Sequence, residues 1–114
     1  MIRVIYWAAA ISAAIGLGGA VASGAAAQAK GDRELGAYLA RECVTCHQAT
    51  GRVVGHVPMI IAWPEDQFIA VMESYRSKQR ENEVMRAIAG KLSDEEIAAL
   101  ASYFGALAPQ PKIN

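Results

Sequence analysis

Cys43 and Cys46 stand three residues apart, and His47 follows the second cysteine directly. Two thiols at that spacing can each add to one of the two vinyl groups of a porphyrin, and the adjoining imidazole then lies where it can ligate the iron. Cys-x-x-Cys-His is accordingly the attachment sequence for a covalently bound c-type haem. One haem c, held through Cys43 and Cys46 with His47 as proximal ligand, is the chemistry these residues point to.

Three other uses of a cysteine pair compete with it. A thioredoxin-like dithiol starts a helix within a βαβ pattern, and no strand pattern surrounds these residues. Structural zinc needs a second pair of ligands that the sequence does not offer. A disulfide is the plainest fate for two cysteines in an exported chain, but closing so short a loop stabilises little. None of the three needs a histidine immediately after the second cysteine.

The far side of the iron decides between electron transfer and ligand chemistry. A Met/His pair saturates the metal and raises its potential, whereas an open position admits dioxygen, nitric oxide or peroxide. Met72 falls on the apolar face of a helix and reads as core, while Met59 sits beside Pro58, near the proximal side. His56 lies so soon after His47 that the loop would have to cross from one face of the macrocycle to the other, so it reads as a solvated loop residue. Met85, on a short and separately capped segment, is the best candidate.

The elements that must position these residues are helices, so the fold class is all-α. Asp32 can cap a first helix reaching about Cys46, with Leu35, Tyr38, Leu39, Cys43 and Cys46 recurring on one face. From Gln48 to Ala62 the periodicity stops, and Gly51, Gly55 and Pro58 mark a loop able to wrap a flat ligand. Pro64, Glu65 and Asp66 suit the start of a second helix ending near Arg76, with Phe68, Val71, Met72 and Tyr75 as its apolar face. Asn82 can cap a short element through Ala89, with Gly90 as its stop. Ser93 and Glu96 form a capping box, Leu92 and Ile97 have staple spacing, and Ile97, Leu100, Ala101 and Phe104 share the core face of a last helix.

Met1 to Ala29 reads as a signal peptide. Arg3 supplies the positive start, Val4 to Val21 the apolar run, and Ala27-Gln28-Ala29 an A-x-A cleavage site. Cleavage near Ala29 leaves residues 30–114 as one monohaem domain in the periplasm, with no membrane span. An uncleaved anchor is the alternative, for a run of that length sits at the lower limit for crossing a bilayer. Apart from Arg3 every charge lies in residues 30–114, where acidic groups exceed basic ones by one. That balance is no nucleic-acid profile, and it argues against a partner captured by charge alone. A domain so small buries a modest share of its surface, and a large apolar prosthetic group relieves that shortage.

With these features assembled, the chain resembles a class I c-type cytochrome, with Cys-x-x-Cys-His early and the Met ligand well downstream. The resemblance implies thioethers at Cys43 and Cys46, iron ligation by His47 and Met85, and a Pro58 carbonyl turned to the imidazole of His47. It also implies that Tyr38 or Leu39 packs against Leu100 and Tyr103 where the first and last helices cross. Pro64 to Phe68, Met72 to Ser77 and above all Val84 to Ile97 are similar to the cytochrome subunit of flavocytochrome c sulfide dehydrogenase. That likeness implies an FAD-containing sulfide dehydrogenase subunit as electron donor and a downstream redox acceptor, the chain itself being no enzyme. Gln48 and Lys78 stand where many such relatives carry glycine. The alternatives are a free-standing cytochrome c shuttle for an oxidase or photosynthetic centre and, from another class, a haem sensor or peroxidase with an open iron position. Arg76, Lys78, Arg80, Arg86 and Lys91 surround the Met-bearing part and offer a basic partner surface.

Overall fold

A computed structural model of the chain describes residues 31–111, and the leader read at Met1 to Ala29 lies outside them. Four helices follow in order: α1 (Arg33–Cys43), α2 (Glu65–Arg76), α3 (Glu83–Ala89) and α4 (Asp94–Gly105). Among the described residues the only β-type pairing is an isolated bridge between Val54 and Val57. The fold is therefore all-α, as the periodicity predicts.

Each helix begins where its cap lies. The Asp32 carboxylate accepts from the Glu34 and Leu35 amides, and the Asn82 side chain accepts from the Met85 amide at 2.9 Å. Ser93 and Glu96 close a reciprocal capping box at the head of α4. Pro64 precedes α2 in an extended conformation, so its ring fixes the entry of the chain rather than occupying the first turn. A side-chain cap of this kind contributes about 1 kcal/mol.

The first helix stops three residues short of the expected Cys46. The Thr45 hydroxyl donates to the Glu42 carbonyl at 2.7 Å, which an uninterrupted helix would reserve for the Cys46 amide. That amide turns instead to the Cys43 carbonyl, and the His47 amide reaches the same oxygen at 2.9 Å. The chain thus leaves the helix in a turn that carries His47 inward.

The core is built on α4. Ile97, Leu100, Ala101 and Phe104 are buried, joined by Ala40 from α1, Ile61 from the long loop, Phe68 and Met72 from α2, and Ala89 from α3. Phe68 and Phe104 stack with ring centroids 6.0 Å apart, and Tyr103 meets Phe104 edge-on at 5.2 Å. At the crossing of α1 with α4 the contact expected of Tyr38 or Leu39 falls to Leu39. Tyr38 is 65% exposed, its ring beneath the Arg41 guanidinium, and the residues pressed into α4 are Gly36 and Ala40, with Leu39 half-buried beside them. A β-carbon on Gly36 would overlap the Ala99 carbonyl, and one on Gly31 the carbonyl of Ala98. Such a close approach leaves no room for a side chain at Gly36, against which the Tyr103 β-carbon also lies.

Candidate functional site

Between the turn after α1 and the face of α3 lies an apolar cleft with about 660 Å³ of empty space, its open mouth included. Cys43, Cys46 and His47 line one side, Val84, Met85 and Ile88 another, and Ile60, Phe68, Met72 and Leu100 form the rest of its apolar lining. The attachment motif and the proposed far-side ligand, far apart in sequence, thus meet across one cavity.

His47 is buried at 8% exposure, and its Nδ1 lies 2.8 Å from the Pro58 carbonyl oxygen. A neutral imidazole donates from one ring nitrogen and coordinates through the other, so this contact fixes Nδ1 as the donor and leaves Nε2 to bind metal. Both cysteines are free thiols. Cys43 is half-buried, and desolvation, with the Glu42 carboxylate beside it, holds its thiol above the usual range. Cys46 is exposed on the rim rather than pointing with the apolar face of α1.

Of the three methionines beyond the leader, Met72 and Met85 line the cleft and Met59 does not. Met72 is held inside the core at 6% exposure, whereas Met85 is half-buried on a helix of seven residues. His56 is exposed and away from the cleft, as its place in the loop predicts. Among the described residues no three His, Cys, Asp or Glu side chains gather as a metal site. An apolar cavity lined by two thiols, an oriented imidazole and a thioether has the donor set and shape of a haem site, and the residues fit that group.

The basic residues around the Met-bearing part are less free than the sequence suggests. Arg76 donates to the Leu92 carbonyl at 3.1 Å and pairs with Asp94, the Arg80 guanidinium lies over the Tyr75 ring, and Arg86 is turned back into its own connector. Lys78 and Lys91 are exposed and enter no ion pair among the described residues. Lys78 also adopts a left-handed backbone with φ of 63°, the conformation for which glycine is the default residue. Sequence reasoning missed the internal work of these arginines, and it missed Gly36. The only signal for Gly36 is that small residues recur on the facing helix at Ala98, Ala99 and Ala101.

Among the described residues four helices close an apolar cleft over Cys-x-x-Cys-His, the make-up of a haem-carrying c-type cytochrome. Comparison with known proteins gives the same class. No family model matches the chain. Cytochrome c-553 of Helicobacter pylori is 32% identical to it over 71 residues, covering 60% of this chain and 74% of that protein. The chain belongs to the class I c-type cytochromes and carries one covalently bound haem c.

Proposed function

We propose that the chain is a periplasmic single-electron carrier whose haem is held by thioethers from Cys43 and Cys46 and ligated by His47 and Met85. The observation that carries this reading is the meeting of Cys43, Cys46 and His47 with Met85 across one apolar cleft, with His47 Nδ1 engaged by the Pro58 carbonyl. When bound, the haem supplies an iron that cycles between ferric and ferrous. The chain's part is to keep both axial positions filled, to exclude water with Ile60, Phe68 and Leu100, and to hold the imidazole in one tautomer. With His47 and Met85 both placed to ligate, the iron would offer no open position, so the sensor or peroxidase reading is the weaker one. Met85→Ala should open the iron, giving rapid stoichiometric binding of carbon monoxide to the reduced protein. Equal binding by the native protein would overturn the Met85 assignment.

For the electron donor, the likeness of Val84 to Ile97 to the haem subunit of flavocytochrome c sulfide dehydrogenase supports docking on an FAD-containing subunit, with electrons passing on to a downstream acceptor. A free-standing shuttle is the second reading, favoured by the match to a cytochrome c-553 over most of that protein's length. Purification of the native protein separates them. A copurifying flavoprotein with haem reduction on adding sulfide supports the first, and a lone monomer indifferent to sulfide supports the second. Export rests on the leader pattern of Met1 to Ala29, tested by the N-terminal sequence of the mature protein.

A further inference from the structure

The connector between α2 and α3, residues 77–82, is held from inside by one side chain. Arg86 Nε donates to the Arg80 carbonyl at 2.8 Å, Nη2 to the Lys78 carbonyl at 3.0 Å, and Nη1 approaches the Glu83 carboxylate at 3.4 Å. The side chain is only 25% exposed. Two carbonyls of one short connector converge on a guanidinium, and Lys78 takes up its left-handed conformation in the same stretch. A planar fork with several donors can bridge two such oxygens, whereas a single ammonium cannot hold both in that geometry.

Arg86 neighbours Met85 on α3, a helix too short to be stable by itself. Its position must come from ties beyond its own turns. Ala89 is buried in the core, the Asn82 side chain caps the head of the helix, and the Arg86 side chain is the tie that reaches back to residues 78–80. We infer that Arg86 is a positioning residue for the far-side ligand: by fixing residues 78–80 against α3 it holds the Met85 thioether over the cleft and resists its displacement. This rests on the reading of Met85 as the axial ligand.

The test is titration of the oxidised holoprotein with imidazole, which must displace the thioether to bind, so its apparent affinity reports how firmly Met85 is held. Loss of two charge-assisted hydrogen bonds in Arg86→Gln should raise imidazole affinity by about tenfold. Arg86→Lys keeps the charge and one bond and should give a smaller rise, and being the gentler change it serves where the glutamine variant does not fold. Asp32→Ala loosens the chain at the cap of α1, remote from α3, and should leave imidazole affinity unchanged. Native affinity in both Arg86 variants, or an equal rise in Asp32→Ala, overturns the assignment of Arg86. Should Met85→Ala bind imidazole no more tightly than the native protein, it is the ligand reading that fails. A rise in Met85→Ala without one in the Arg86 variants removes the positioning role alone.

Discussion

The two sides of the cleft are held in place by different means. On the attachment side, α1 lies on α4 so closely that Gly36 faces the Ala99 carbonyl with no space for a β-carbon, and His47 is oriented by a backbone carbonyl. On the opposite side a seven-residue helix is fastened by side chains: the Asn82 amide at its head, Arg86 to the connector before it, and Arg76 to Leu92 and Asp94 after it. Backbone against backbone has little room to relax, whereas side-chain clamps can be lost one at a time. A covalently tethered group needs the first kind of wall where its bonds are made. A ligand held by one coordinate bond can be tuned through the second kind.

Gly36→Ala should break the rigid wall, with a larger effect than the variants of the clamped side. Helix propensity alone favours alanine over glycine by about 1 kcal/mol, so an exposed site would be stabilised. Here the added carbon meets the backbone of Ala99, which cannot move without shifting α4, and overpacking of this kind costs about 3 kcal/mol. For so small a domain that is a large part of the total stability, and thermal unfolding of the holoprotein should fall by more than 10 °C, an order-of-magnitude figure. A stabilised variant would show that the two helices are not in register at Gly36.

On the clamped wall the effects should be smaller and local. Asn82→Ala removes the cap of α3 at a cost of about 1 kcal/mol, lowering the melting temperature by roughly 4–8 °C, whereas Asn82→Gly should cost only a few tenths of that. Comparing the two by thermal melts separates the lost hydrogen bond from the conformational demand at a residue whose φ is 155°. If glycine proves no better than alanine, the backbone conformation at Asn82 demands little, and the loss common to both variants measures the side-chain bond to Met85.

The sequence is legible where an element is set by its own residues. The starts of α2, α3 and α4 follow from Pro64, Asn82 and Ser93, and the attachment motif needs nothing beyond adjacency. It is illegible where a residue answers to a distant one. Nothing near Gly36 announces that Ala99 will press against it, so a helix-weakening glycine looks like a defect and Tyr38 looks like the contact. Arg76 and Arg86 read as surface charge because their acceptors are backbone carbonyls, which every residue carries and no composition reveals. The early end of α1 lies between these cases. Thr45 competing for the Glu42 carbonyl is a local event, but the same residue is tolerated within many helices, and only the inward course of His47 selects the turn.

The smallest effect on the iron should come from a residue that the motif reading places beside it. Pro58 meets His47 through its carbonyl, which alanine also carries, so Pro58→Ala leaves the 2.8 Å contact chemically available. What is lost is the fixed φ of the ring, a change felt mainly through the unfolded chain and worth about 0.4–1 kcal/mol. The imidazole should keep its tautomer, and the reduction potential should stay near that of the native protein while the melting temperature falls by a few degrees at most, an order-of-magnitude figure. A shift in potential comparable with that of a far-side variant would mean that the loop from Gly51 to Pro58, with its left-handed turns at Gly51 and Gly55, depends on the proline to bring the carbonyl to the ring. The attachment side would then be clamped at one point just as α3 is, and the contrast between the two walls would narrow to the α1–α4 crossing alone.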